Sequence, residues 1–379
     1  MGSASLADHF ADLIDPRVER TRWHELVDIV AITVCAAICG ADNWVDIALF
    51  GRCKEAWFRT WLKLPNGIPS HDTFGRVFAR LDPVAFGRCF TSWMEAVQEA
   101  TQGQVVAIDG KSLRGTRDSV SGRSAILMVS AWATDNHLVL GQVKVDEKSN
   151  EITAIPELLE VLDLAGCIVT IDAIGTQKAI AERIVAKQAD YVLAVRDNQP
   201  QLRAEIVDLF QTAKEFGFKD VPHSHAQTLD KGHGRMETRE CWATGDTECL
   251  ACLGKGSQWA GLQSVAMVTR RRRPWGHDQA KEEVETTCYI TSLAADAAKI
   301  LEITRTHWSI ENCLHWVLDV AFDEDRCRVR TGNGPENLAI VRHFALGLLK
   351  KDTSVKAGIK AKRKAAGWDV DYLLRLVNQ

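Results

Sequence analysis

The stretch VVAIDGKSLRG, residues 105–115, holds an unbroken apolar run, Val105 to Ile108, that stops on an aspartate, Asp109. A short unbroken apolar run of this kind reads as a buried strand. A carboxylate is costly inside a core but useful at its rim. The pattern returns in CIVTIDAIGTQ, residues 167–177, where Asp172 closes the run Ile168–Ile171. Two strands that each deliver one acid at the same end make two walls of one site.

The surrounding chain sets those strands in order. Val105–Ile108, Ile126–Trp132 and Leu138–Val145 read as a three-strand meander. A helix (Thr153–Leu164), a strand (Ile168–Ile171), a helix (Gln177–Gln188), a strand (Tyr191–Val195) and a helix (Leu202–Phe216) follow. The order predicts an α/β fold, a mixed sheet with helices on both faces. It matches the ribonuclease-H-like fold, in which the first and fourth strands are neighbours and Asp109 lies beside Asp172.

Before this core, residues 1–100 read as a helical N-terminal domain, a small bundle of the kind that often binds DNA, with a purely structural bundle as the alternative. Thr21, Asp42 and Asp72 are expected to cap its helices. Phe74, Val77, Phe78 and Leu81 fall on one helical face. Asp82 before Pro83 is a cap followed by proline at the first helical position, and Phe86, Phe90, Trp93 and Val97 continue the buried side. The core then takes residues 101–216. Residues 217–295 break the alternation and read as a mostly β insertion, with strand-like runs Val265–Thr269 and Thr286–Ile290. The core resumes over 296–352 with a helical segment, Ala297 to about Phe322. A basic linker and a last helix, 353–379, end the chain.

Composition excludes several classes. The 379 residues are 46% apolar and 25% charged, with net charge −4, as expected of a globular chain without overall basicity. Eleven scattered cysteines and no signal-peptide pattern imply a reducing, intracellular setting, expected to be cytoplasmic. The thirteen-residue run Ile29–Ala41 is too short to span a bilayer, so no membrane partner is expected. Cys249 and Cys252 form a CxxC downstream of His223, His225 and His233, but without a second CxxC they do not specify a zinc site. Two local basic runs stand out: Arg270–Arg273, and Lys356–Lys364 with five basic residues and no acid.

A third acid lies in RTHWSIENCLHWVLDVAFDEDR, residues 305–326, where Glu311 has Trp308 at i−3 and His315 at i+4 on one predicted helical face. Three converging carboxylates need countercharge, because two like charges about 4 Å apart repel by roughly 4 kcal/mol at an effective dielectric near 20. Hard oxygen ligands with open positions suit Mg²⁺ or Mn²⁺. Two such ions activate a water or a 3′-hydroxyl and stabilise the leaving oxygen, which is phosphodiester chemistry. The GKS at Gly110–Ser112 is not a P-loop, since that motif needs a glycine where Val105 stands.

Together, AIDGKSLRGT, TIDAIGTQ, LAVRDNQP, KGHGRMETR, CYITSL and HWSIENCLHWVLDV resemble the H-repeat-associated (Rhs-element type) insertion-sequence transposases of the DDE class. The N-terminal SHDTFGRVFARLDP is similar to the helical leader of that family. The resemblance implies that Asp109, Asp172 and Glu311 are the catalytic, metal-binding triad for two Mg²⁺ or Mn²⁺ ions. It also implies double-stranded DNA, element ends and target, as substrate, and a homodimer or higher assembly on it. The bound ends would be hydrolysed and their 3′-hydroxyls joined to target. Related transposases often carry Arg and Lys around the third acid, where this chain holds His307 and Leu318.

Further candidates surround the triad. Lys111 and Arg114 follow the first acid and are candidates for touching phosphates, while Gln177, Asn198 and Gln199 lie just past strand ends and are expected near DNA, with turn and cap hydrogen bonds as the alternative. His233, Arg235 and Arg239 in the insertion are candidates for gripping DNA, with cross-strand pairing to Glu237 and Glu240 as the alternative for the two arginines. Arg270, Arg271, Arg272 and Arg273 are candidate phosphate contacts. His315 and Asp319 are expected to support Glu311. Two other functions fit the same residues: a metal-dependent nuclease on this fold, and a catalytically silent DNA-binding or repressor protein derived from a transposase.

Overall fold

A computed structural model describes residues 6–95, 103–118, 122, 124–146, 149–232, 234–253, 259–274 and 282–378. Val97, expected on the buried side of an N-terminal helix, lies outside them. The strands are β1 (Val105–Leu113), β2 (Ile126–Ala133), β3 (Leu138–Lys144), β4 (Ile168–Ile171), β5 (Asp190–Val195), β6 (Ser224–Gly232), β7 (Arg235–Thr244), β8 (Ser264–Pro274) and β9 (Glu283–Thr291). With many helices they make a mixed α/β fold. The chain divides into two compact units, residues 1–101, 110–149 and 311–379 in the first, and 102–109 and 150–310 in the second.

In the second unit the strand order is β1-β4-β5-β9-β8-β7-β6. β1, β4 and β5 run parallel, as four-residue apolar runs with intervening helices require. The expected insertion strands do not form a sheet of their own. β9 pairs antiparallel with β5 through Val192↔Thr291 to Val195↔Cys288, so the meander β6–β9 extends the same sheet. The Ala297–His307 helix explains why the sheet stays together. Its Ile303 packs with Val105, Ile168 and Val192, and its Ala297, Ile300 and Leu301 pack with Cys241, Ala243, Ala266 and Val268. Each fully buried Val or Ile there contributes about 1.5–3 kcal/mol.

The first unit is helical around the apolar Leu26–Ile38 helix, buried along nearly its whole length. The Gly334–Lys351 helix packs on it. Asn337 on that helix, fully buried, donates to the carbonyls of Phe78 and Leu81. Phe86, Phe90, Trp93 and Phe344 form an aromatic cluster, which accounts for the predicted spacing. Within the unit β2 and β3 form an antiparallel hairpin.

Three predicted caps move. Thr21 closes a short turn onto the Val18 carbonyl, and the first long helix begins five residues later at Leu26. Asn43, not Asp42, accepts from Val45 and Asp46 at the next helix start, and Ser70, not Asp72, caps His71–Arg80. Asp82 does cap, accepting from Val84 and Ala85. Asp42 is used elsewhere. Its carboxylate accepts from Arg363, which also donates to the Ala37 and Ala321 carbonyls. The region expected as a basic linker therefore contains a helix, Ile359–Trp368, because two of its cations are buried as structural donors. Lys362 is the other, bonded to the Leu349 carbonyl and to Asp352.

Arg363→Ala should cost about 3 kcal/mol, since it strands the Ala321 carbonyl and the Asp42 carboxylate. Urea denaturation checks this, and a midpoint close to that of the unsubstituted protein would show that the guanidinium is dispensable.

Candidate active site

The second unit brings two predicted acids to one edge. β1 and β4 are parallel and in register, with Ile108 opposite Ile171. Asp109 and Asp172 are each the next residue, so both lie where the β1–β4 pairing ends: Asp172 just past β4, Asp109 within β1, which runs on to Leu113 instead of stopping at Ile108; both are half-buried. Asp172 accepts from the Ile174 N–H at 3.1 Å, capping a tight turn, Ala173–Gly175. Gly175 is needed there, because a Cβ would lie 2.2 Å from the Ile171 side chain. Among the described residues no Lys or Arg pairs with Asp172.

The polar candidates near this edge hold loops together. Gln177 donates to the Ile174 carbonyl at 3.4 Å, and Asn198 to the carbonyls of Ala173 and Thr176. Gln199 donates to Thr176 at 3.1 Å, and the buried Thr176 hydroxyl to Ala194 at 2.6 Å. The loops after β4 and β5 are thus tied into one rim. A fourth acid, Glu151, went unnoticed in the sequence. It is held above the usual carboxylate range by burial and by the Asp172 charge. The signal was present in Asn150, the cap of the Glu151–Val161 helix, which starts two residues earlier than the apolar spacing suggests.

His307 lies beneath β4. Its Nδ1 is 2.9 Å from the Thr170 hydroxyl, and burial pushes its pKa down to about 4, so it is neutral at pH 7. It is not a cationic substitute for an arginine.

The first unit holds the third predicted acid. The single helix expected to run from Ala297 to Phe322 is interrupted. α-Helical geometry spans Ala297–His307, a π-helical turn Glu311–His315, and α-helix resumes over Trp316–Phe322. Such turns widen a helix locally and occur often at functional sites. Glu311 is exposed, and its Oε2 lies 3.1 Å from Nδ1 of the buried His315, an acid–imidazole pair able to serve a metal ion. Burial lowers the His315 pKa, opposed by the Glu311 charge. Leu318, the residue expected to stand in a lysine position, is fully buried.

Lys111 is engaged within the first unit. Its ammonium lies 2.7 Å from Asp319, 3.4 Å from Asp325 and 3.7 Å from the fully buried Glu324, whose other oxygen is 3.6 Å from Arg342. Asp319 therefore anchors Lys111. Arg114 is 80% exposed, with Asp325 at 3.5 Å.

The arginines of the second unit mostly have carboxylate partners. Arg239 pairs with Glu237 on its own strand at 2.5 Å, and Arg272 reaches the same Glu237 from β8 at 2.6 Å. Arg270 pairs with Glu285 and lies over the Trp308 ring, and Arg271 is 3.6 Å from Glu282. Arg235 and Arg273 are exposed at the outer ends of β7 and β8. His233 lies outside the described residues. His225 and His223 pack around Trp242 and Phe218, and Cys249 is a free thiol with its pKa pushed up to about 11.

The profile of the "Transposase DDE domain" matches residues 100–348, and its associated N-terminal family, "DDE_Tnp_1-associated", matches residues 7–94. The chain belongs to the DDE-class, H-repeat-associated transposase family. Similar full-length relatives come from Escherichia coli. YncI of strain O157:H7 is 40% identical over 98% of this chain and 94% of its own. The H repeat-associated YhhI of strain K12 is 38% identical over 97% and 96%.

For this family member the donor chemistry fits a divalent cation. Asp109 and Asp172 offer hard oxygens where the pairing of β1 with β4 ends, and Asp172 lacks a protein countercharge among the described residues. No helix of the described residues is long and apolar enough to cross a membrane.

Two buried histidines make stability pH-dependent. Burial holds His307 at about 4 and His343 at about 3. Below about pH 6.5 the unfolded chain takes up protons that the folded chain refuses, so stability falls as pH drops toward 4. The slope should be about 1.4 kcal/mol per pH unit for each histidine, and His307→Asn should remove one such increment. Denaturation midpoints across this window test it, and a flat profile would refute the buried neutral state.

Proposed function

We propose that this transposase binds the ends of its own insertion sequence, cuts phosphodiester bonds there and joins the freed 3′-hydroxyls to target DNA. The observation that carries this reading is the in-register pairing of β1 and β4, which aligns Asp109 with Asp172 in a chain of the DDE family. The parallel succession β1-β4-β5 in the second unit and the β2–β3 hairpin in the first each support a ribonuclease-H-like core.

Asp109, Asp172 and Glu311 are the residues proposed to hold two Mg²⁺ or Mn²⁺ ions. Such a pair, when bound, supplies activation of the attacking water or hydroxyl and stabilisation of the leaving oxygen. Among this chain's own groups, His315 orients the Glu311 carboxylate through their hydrogen bond. Lys111 is held by Asp319, with Glu324 and Asp325 also within 4 Å, which fastens the segment just after Asp109. Asn198 and Gln199 keep the loop behind Asp172 in place. Neutral His307 supports β4 through Thr170. Arg114, Arg235 and Arg273, exposed, are the candidates best placed to meet DNA phosphates, while Arg270, Arg272 and Arg239 brace the sheet. Ends must be paired before joining, so the working form is a dimer or larger assembly on DNA.

Asp109→Asn, Asp172→Asn and Glu311→Gln each keep size and remove a metal-ligating charge. Each is expected to fold, to bind element-end DNA with unchanged affinity, and to lose cleavage and joining together by at least about a hundredfold. Gel shifts and Mg²⁺-dependent cleavage on the same preparations measure both. Cleavage near the unsubstituted level by any one variant removes that residue from the triad. Cleavage without joined products would favour a nuclease, and binding without cleavage a silent DNA-binding protein.

A further inference from the structure

The first unit contains a cavity of about 750 Å³ that the chemistry above does not use. Its walls are the Trp44–Cys53 helix, the His71–Arg80 helix and the segment 323–331. Five arginines line it, Arg76, Arg80, Arg326, Arg328 and Arg330, against three aspartates. Two of the aspartates have arginine partners, and the third faces an imidazole. Asp42 takes Arg363 at 2.9 Å, Asp323 takes Arg326 at 3.6 Å, and Asp72 lies 3.6 Å from the His71 imidazole. Arg76, Arg80 and Arg328 are exposed and have no carboxylate partner among the described residues. In a chain of net charge −4, this local cationic surplus does not follow from general basicity.

The cavity also has a fixed aromatic wall. Trp44 is half-buried, 5.0 Å from the Phe78 ring centroid, and it packs on Gly75, where a Cβ would sit 3.3 Å from the indole. The opposite wall is pinned. Gly332 has φ +52, and a Cβ there would lie 2.2 Å from the Ala79 carbonyl. The next residue, Asn333, donates its N–H to that same carbonyl at 3.0 Å and its side chain to Leu81 at 3.1 Å.

We propose that this cavity receives single-stranded DNA, an unpaired stretch whose base stacks on Trp44 while Arg76, Arg80 and Arg328 meet its phosphates. The volume lies in the usual range for small-ligand sites, about 300–1,000 Å³, and is far too small to enclose a duplex. Unpartnered arginines around a rigid aromatic are the combination that holds unpaired strands: charge follows the backbone, and stacking accepts any base. The inference rests on the reading that this chain works on DNA.

The test uses the full chain in EDTA, with fluorescence anisotropy on two probes: a blunt duplex, and the same duplex carrying a short oligothymidine extension. The unsubstituted protein should bind the extended probe more tightly. Arg76→Gln, Arg80→Gln and Arg328→Gln combined should abolish the preference and flatten the log–log salt dependence by about 0.7 per lost contact. Trp44→Leu should weaken binding to the extension roughly tenfold with the salt slope unchanged. The arginines are exposed, so the triple variant stays decisive even if Trp44→Leu fails to fold. Equal binding of both probes by the unsubstituted protein, or a preference that survives the triple variant, overturns the proposal. Mg²⁺-dependent cleavage on the same preparations separates the two readings. Extension binding through the cavity without cleavage upholds the cavity and sinks the phosphodiester chemistry. Cleavage without an extension preference does the reverse.

Discussion

The alignment of β1 with β4 is the constraint on which the rest depends. Parallel strands in register deliver side chains to the same level, so Ile108 opposite Ile171 sets Asp109 and Asp172 side by side where the β1–β4 pairing ends. The buried run behind each acid fixes that register. A slip of one residue would turn every core side chain of β4 to the wrong face. Core packing and the placement of two like charges are thus one decision, and the apolar contacts of Val105, Ile168, Val192 and Ile303 hold the carboxylates where they repel.

Charge is handled differently in the two units. In the second, Asp172 is left without a protein cation among the described residues, and Glu151 is held high in pKa partly by its charge. In the first, Lys111 and Arg342 flank the buried Glu324, with Asp319 and Asp325 around the ammonium. A buried pair of this kind adds little net stability over a hydrophobic replacement, but losing one partner is costly. Its use is positional, because it fastens the residues just past Asp109 to the turn that follows the Glu311 helix.

The arginines show why a basic run in a sequence is a poor guide to ligands. Arg270 to Arg273 look like one patch. On an antiparallel strand, alternate residues face opposite sides, and Glu285 and Glu237 on the flanking strands meet Arg270 and Arg272. Lys362 and Arg363 likewise serve buried carbonyls. Arg76, Arg80 and Arg328 are dispersed in sequence and gather around one cavity only because Gly332 lets segment 323–331 close on the His71–Arg80 helix.

What the sequence determined by itself is local and periodic. The apolar runs that end at Asp109 and Asp172, the alternation of strands and helices between residues 105 and 215, and the Asp82–Pro83 helix start all follow from burial period and cap chemistry, and each stands in the structure. Glu311 and His315 were legible as a pair four residues apart, although the π-helical turn between them was not, since it reflects how the helix is packed rather than any residue preference. Tertiary structure decided the rest. It joined β9 to β5, committed Lys111 to three acids, set neutral His307 under Thr170, and drew Glu151 within reach of the Asp172 charge. Those outcomes depend on pairings between residues dozens of positions apart, and a one-dimensional pattern carries no information on which distant partner a charge or an edge strand will find.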